Sequence, residues 1–201
     1  MVQKSWSHRA RRGPAGRVRP SGVTTGARRD LGPWPRSGPP DETRDVPTID
    51  IVQRVLAPTA TAVVGGSVYP GDISDFLGRA YKSVERALSV QALSPTGPPF
   101  ARYHRGNGDF DVEAGFPVDR VVEASGDVVA SSLPGGTVAV ATFVGSYDRV
   151  GGAYRELREW VVARGARPQG DPWENYLTDP ATSPDPSGWR TEIVLPFDTG
   201  A

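Results

Sequence analysis

The chain of 201 residues contains no cysteine, which excludes disulfides, thiolate metal sites and a cysteine nucleophile. It has only two histidines, His8 and His104, too few for a metal site built from several imidazoles. Long apolar runs are also missing. A stretch such as 138–144 is far too short to cross a bilayer, and no apolar segment follows the arginine pairs that could open an export signal. We therefore expect a cytoplasmic protein with no cofactor, no metal and no membrane association.

Residues 1–45 differ from the rest of the chain in charge and composition. They carry ten Lys or Arg against four Asp or Glu, a net charge of +6 within a neutral chain, and only four Val or Leu. A segment so poor in apolar surface cannot offset its ordering entropy, so we predict a disordered basic tail. It is either a basic arm for anionic partners or a non-functional extension. It lacks the helical periodicity of a helix-turn-helix DNA reader.

Residues 46–201 contain two copies of one unit, which divide at about residue 121. The sequence PTATAVV at 58–64 resembles PGGTVAV at 134–140, and GPPFARY at 97–103 matches GDPWENY at 170–176. DVEAGFPVD at 111–119 matches RTEIVLPFD at 190–198. Because the blocks recur in the same order, the sequence predicts a tandem duplication, with one repeat at 46–121 and the other at 122–201.

Each copy has the pattern of a strand, a helix and two further strands, preceded by one more β-rich run. Apolar residues at helical spacing predict one helix after Asp72 and another after Asp148, the second stopping at Gly165. The pair Asn107-Gly108 is typical of a tight hairpin. The predicted strands are 48–55, 60–68, 101–105, 110–118, 127–133, 137–144, 174–178 and 191–197. We predict an α+β fold, a mostly antiparallel sheet with two main helices and a ligand cleft at the pseudo-twofold junction.

Two repeat-related glutamates, Glu113 and Glu192, are the candidate acidic groups of that cleft. Each lies in the last strand of its repeat, and a lone carboxylate among apolar strand residues is unexpected. Such a group can serve as a counter-charge for a cationic ligand or as a general base with a raised pKa. The alternative is a solvent-facing residue or a structural ion pair.

Aromatic residues at repeat-related positions are the candidate walls of the cleft. Such rings bind flat or cationic ligands through buried area and cation–π contact. Phe100 and Tyr154 are interpreted as core residues. The expected ligand-binding aromatic residues are Tyr103, Tyr147, Trp173, Tyr176 and Trp189.

Several of these segments together resemble the GyrI-like family, an effector-binding domain of gyrase-inhibitory proteins and multidrug regulators. The resemblance is carried by FARY at 100–103, DVEAGFPV at 111–118, VGSYD at 144–148, PWENYLTDP at 172–180 and WRTEIVLP at 189–196. It covers about residues 47–198. It implies two strand–helix–strand–strand modules with a cleft between them that takes bulky hydrophobic, sometimes cationic, compounds. In some stand-alone members it implies hydrolysis of cyclopropane-bearing DNA-alkylating natural products.

Three functions follow as hypotheses. The first is a stand-alone binder that senses or sequesters a bulky hydrophobic small molecule, either neutral or cationic, with a role in drug or toxin resistance. The second is a cyclopropanoid hydrolase in which Glu192 or Glu113 is catalytic. The third is a protein-interaction module that acts through its surface, as a gyrase inhibitor does.

Overall fold

The computed structural model describes residues 49–104 and 110–200. The predicted basic tail and the Asn107-Gly108 turn lie outside these residues. The described residues form nine β-strands and two α-helices. The strands are β1 Asp50–Leu56, β2 Thr59–Val68, β3 Phe100–His104, β4 Phe110–Pro117, β5 Val128–Leu133, β6 Gly136–Val144, β7 Arg167–Pro168, β8 Trp173–Tyr176 and β9 Arg190–Asp198; the helices are α1 Ile73–Val90 and α2 Val150–Ala163.

One antiparallel sheet holds the domain together, with the strand order β1-β6-β9-β8-β3-β4-β2-β5 and the short β7 paired to β9. The two repeats meet where β3 pairs with β8. The first strand of each repeat pairs with the other repeat: β1 with β6, and β5 with β2. Both of these pairings have the same register, because Val52 faces Val140 and Val128 faces Val64 at repeat-related positions. The tandem duplication and the α+β fold are thus confirmed.

The sheet is strongly curled. Two residues, Ala57 and Pro58, join β1 to β2, although these strands stand first and seventh in the strand order. So short a connection spans at most about 11 Å, whereas six strand spacings in a flat sheet would measure about 29 Å. The β5–β6 connection crosses close by, since a Cβ added to Gly135 would lie 2.5 Å from Pro58 Cδ. The curl brings the two ends of the sheet together around an apolar core.

The two faces of the sheet have different partners. On the helix face, Leu157 and Val161 of α2 pack against Ile193 and Leu195 of β9. On the same face, α1 packs against β2 and β4. The opposite face is filled by residues of the curled sheet itself, with no helical residue among them: Val63, Phe100, Leu133, Val138, Val140, Trp173 and Val194. Because strand residues alternate between faces, this division decides which side chains can reach a space between the helices.

The ends of both helices agree in position with the prediction. Asp72 directly precedes α1, but its side chain makes no capping hydrogen bond. Asp148 lies in a short 3₁₀ turn, Tyr147–Arg149, that leads into α2. After α2, Gly165 adopts a positive φ of 72°, a conformation that glycine adopts without steric cost. No helix in the described residues is long and apolar enough to span a bilayer.

Candidate ligand-binding site

A cavity of about 1630 Å³ lies between α1 and α2, above the central strands β3 and β8. Its floor is formed where the two repeats meet, and the helices form its sides. The loop after β8 closes part of its rim through Leu177, Thr178, Asp179, Pro180 and Ala181. The predicted cleft at the junction of the repeats is therefore present.

Glu174, on β8, is the acidic group in this cavity. Its side chain points to the helix face, and the residue is only 6% exposed. Tyr154 Oη donates to Glu174 Oε1 at 2.9 Å, and Tyr176 Oη donates to Glu174 Oε2 at 2.9 Å. Tyr103 Oη lies 3.1 Å from Tyr176 Oη and extends the network to β3. Both carboxylate oxygens thus have a tyrosine donor.

The charge of Glu174 has no cationic partner among the described residues. The ion pairs found in this part of the chain join Arg54 to Glu192, Arg102 to Asp171, and His104 to Glu113 and Asp171. Burial raises the pKa of Glu174 above its ordinary value, and the hydrogen bonds from Tyr154 and Tyr176 only partly oppose this shift. Glu174 is thus a buried acid that is held by two neutral donors and forms no ion pair with the residues that the structure describes.

The surrounding tyrosines respond to the same charge. Burial, followed by repulsion between Glu174 and a phenolate, raises the pKa of Tyr103 and of Tyr154. The pKa of Tyr176 is raised in the same order of causes. These phenols therefore stay neutral at physiological pH and act as hydrogen-bond donors and aromatic surfaces.

Three aromatic rings, those of Tyr176, Tyr147 and Trp189, contact one another in series. Tyr147 meets Tyr176 edge to face, with centroids 5.5 Å apart. Trp189 also contacts Tyr147, with a centroid distance of 4.6 Å and an angle of 36° between the ring planes. The indole N–H of Trp189 donates to the carbonyl of Ser183 at 2.7 Å, which helps to fix the orientation of the indole ring. Trp189 contacts Tyr147 but is not one of the residues that line the cavity.

Of the residues expected to bind ligand, Tyr103, Tyr147 and Tyr176 line the cavity. Trp173 lies on the opposite face, 2% exposed, in the core of the curled sheet. Tyr154, interpreted from the sequence as a core residue, lines the cavity and bonds to Glu174.

The two glutamates chosen from the sequence do not lie in the cavity. Glu192 shares the face of Val194, where it accepts hydrogen bonds from Asn175 Nδ2 at 3.0 Å and Arg54 Nη1 at 3.1 Å. Glu113 also points to that face, and its carboxylate contacts Ser131 Oγ at 3.1 Å. The structure thus places both glutamates in structural polar contacts, the alternative given above, and not beside the cavity.

A signal for Glu174 was present in the repeat alignment. The matched segments GPPFARY and GDPWENY put Glu174 where the first repeat has Ala101, and the two residues face each other in the β3–β8 pair. A charged residue that replaces a buried alanine, two positions before Tyr176 on the same face, marks a specialised position.

A mostly antiparallel sheet with two helices on one face, enclosing an aromatic cavity with one buried acid, defines a small-molecule-binding domain. The sequence profile of the GyrI-like small molecule binding domain matches residues 51–198, and the chain belongs to this family. Among curated proteins, none matches the chain significantly.

Solved structures share the fold. The C-terminal domain of EcmrR has a TM-score of 0.68 at 19% identity, over 76% of this chain and 99% of that domain. EcmrR in a DNA complex gives the same TM-score at 21% identity, and the match spans only 58% of that longer chain. SAV2435 bound to tetraphenylphosphonium has a TM-score of 0.55 at 14% identity, over 74% of this chain and 94% of that one. A hydrolase from Listeria innocua has a TM-score of 0.54 at 14% identity, over 74% and 91% of the two chains.

Proposed function

We propose that this protein binds a bulky lipophilic organic cation in the cavity between α1 and α2, and that it senses or sequesters that compound. Glu174 supplies the counter-charge, and Tyr103, Tyr147, Tyr154 and Tyr176 supply the aromatic surface. The observation that carries the proposal is the buried carboxylate of Glu174, which has two tyrosine donors and no cationic partner among the described residues.

The physical argument starts from the cost of a buried charge. An ionised carboxylate away from water is unfavourable, and hydrogen bonds from neutral phenols recover only part of the lost hydration. A ligand cation that enters the cavity recovers more, because it pairs with Glu174 where solvent screening is weak. The folded protein bears the desolvation cost of the carboxylate before the ligand arrives, so the site is preorganised for a cation.

The size and lining of the cavity support the proposal of a large ligand. About 1630 Å³ exceeds the range of about 300–1,000 Å³ typical of drug-sized pockets. The tyrosine faces favour a charge spread over rings or shielded by them, through cation–π contact. Tetraphenylphosphonium, the ligand in SAV2435, has this character and is a suitable first probe.

The test is a titration of the full chain with tetraphenylphosphonium by isothermal calorimetry, with Glu174→Gln as the variant. Glu192→Gln is the matched control, because it makes the same chemical change in a neighbouring strand on the opposite face. The proposal requires that the wild-type protein and Glu192→Gln bind the probe and that Glu174→Gln binds it much more weakly. Equal loss in both variants, or no binding to the wild-type protein, would contradict it.

A hydrolytic use of the same cavity has one observation in its favour, the raised pKa of Glu174, which suits a general acid. Against it, both oxygens of Glu174 already accept a tyrosine hydrogen bond, an arrangement that holds the carboxylate still and does not direct it at a water. Turnover of a cyclopropane-bearing alkylating compound that is lost in Glu174→Gln would favour the hydrolase. Binding of such a compound without turnover would favour the binder.

A further inference from the structure

The two sides of the cavity differ in chemistry, although they belong to duplicated repeats. Tyr154 is the fifth residue of α2, and the fifth residue of α1 is Leu77. Glu174 on β8 faces Ala101 on β3, its counterpart in the first repeat. In the second repeat these two positions hold a hydrogen-bonded pair. In the first repeat, Leu77 packs against the hydrophobic cluster that contains Ala101.

The side of the cavity next to α1 has a largely apolar lining. We call this lining the α1 wall; it consists of Ile73, Leu77, Pro98, Pro99 and Phe116. None of these five side chains carries a charge or a hydrogen-bonding group. The α1 wall therefore offers a ligand buried apolar area, whereas Glu174 and its tyrosine donors on the other side offer a charge.

Ionisable residues of the first repeat also line the cavity, namely Lys82, Glu85 and His104. The first two are exposed, so solvent and salt screen their charges. His104 already contacts two carboxylates, with its Nε2 3.2 Å from Glu113 and its Nδ1 2.9 Å from Asp171. The buried carboxylate of Glu174 is thus the strongest counter-charge for a cation in this cavity, because screening is weak there.

A ligand gains most when its charge and its apolar bulk lie on different sides of the cavity. A cationic group beside Glu174 is paired, whereas the same group against the α1 wall would lose hydration without a partner. The volume of about 1630 Å³ leaves room for both parts of a long ligand.

We infer that the ligand binds in one orientation, with its cationic head beside Glu174 and an uncharged lipophilic arm along the α1 wall. This inference rests on the proposed cation binding and adds the shape of the ligand to it. The preferred compounds are amphiphilic cations that carry their charge at one end.

The experiment compares methyltriphenylphosphonium with octyltriphenylphosphonium, which share a cationic head and differ only in the length of one alkyl chain. Isothermal calorimetry on the full chain gives both dissociation constants for the wild-type protein and for each variant. Leu77→Gln and Ile73→Gln make the α1 wall polar at two independent positions. Val150→Gln is the matched control, because Val150 and Ile73 are each the first residue of their helix, are partly buried and line the cavity.

We expect octyltriphenylphosphonium to bind the wild-type protein at least about 10-fold more tightly than methyltriphenylphosphonium, because its chain covers the α1 wall. Leu77→Gln and Ile73→Gln should each reduce this ratio by about 3- to 10-fold, whereas Val150→Gln should leave it unchanged. The ratio compares two ligands on the same protein, so a partial loss of folded protein does not alter it.

Three results would overturn the inference and leave cation binding intact. They are a ratio near one in the wild-type protein, an unchanged ratio in both variants of the α1 wall, and a reduction by Val150→Gln that equals or exceeds theirs. If the wild-type protein binds neither of these phosphonium ions nor tetraphenylphosphonium, the proposed function itself fails.

Discussion

The loss of one negative charge in Glu174→Gln should weaken the binding of tetraphenylphosphonium by about two orders of magnitude. At a separation of about 5 Å and an effective dielectric constant of about 20, two unit charges attract by about 3 kcal/mol. Each factor of ten in Kd corresponds to about 1.4 kcal/mol, so this attraction is worth roughly 100-fold. Gln keeps the volume of Glu, so the aromatic walls around the ligand should change little.

Isothermal calorimetry on the full chain measures this difference, and a neutral probe isolates its cause. Triphenylphosphine oxide has aromatic rings like those of tetraphenylphosphonium but no net charge, so its Kd should be nearly the same for the wild-type protein and for Glu174→Gln. Glu192→Gln should leave the Kd of both probes unchanged, since its carboxylate pairs with Arg54 on the other face. If Glu174→Gln weakens tetraphenylphosphonium by less than about threefold, the charge of Glu174 does not drive binding.

Three further predictions concern pH and packing. The affinity for tetraphenylphosphonium should fall as pH decreases through the raised pKa of Glu174. Tyr154→Phe removes a hydrogen bond that lowers this pKa, so it should move the midpoint of the fall to higher pH. Titrations across a pH series measure both effects. Because the folded-state pKa of Glu174 is raised, its protonated form stabilises the fold at low pH, and this contribution is lost as pH rises. Thermal unfolding should therefore show that Glu174→Gln gains stability relative to the wild-type protein between acidic and neutral pH. A stability difference between the two proteins that does not change with pH would contradict the raised pKa of Glu174. Gly115→Ala should lower the free energy of unfolding, measured in denaturant, by at least about 2 kcal/mol, because its Cβ would lie 1.9 Å from the carbonyl oxygen of Ala62. Gly65→Ala, whose Cβ would have nothing within 4 Å, should lower it by less than about 1 kcal/mol. Similar losses in both variants would refute the packing argument.

The duplication, the two helices and most strands could be predicted because each depends on local patterns. The apolar positions of α1 and α2 repeat at helical spacing, and Gly165 marks the end of α2 where its positive φ is observed. The pairing of β1 and β5 with strands of the other repeat depends on contacts between residues far apart in the sequence. No local pattern in these strands records it.

The position of the acid could not be read from strand alternation alone. Alternation correctly groups Glu192 with Val194 on one face, but it does not say which face borders the cavity. The usual guide, that one face is apolar and the other polar, fails here because the curl of the sheet buries both faces. Comparison of Ala101 with Glu174 within the repeat is a better guide, since it finds the place where the two halves differ in charge.

The pairing of Ala101 with Glu174 also bears on why a duplicated chain suits this site. A symmetric dimer of identical modules would set two glutamates directly across from each other, with Cβ atoms about 5 Å apart. Two carboxylates at that distance repel each other and do not both ionise readily. Such a dimer would therefore hold one proton shared between its two glutamates, or would bind a ligand with two positive charges. Covalent linkage of the modules allows the two positions to differ. Alanine on one strand then leaves a single carboxyl group near the axis, which agrees with the proposed ligand of one positive charge.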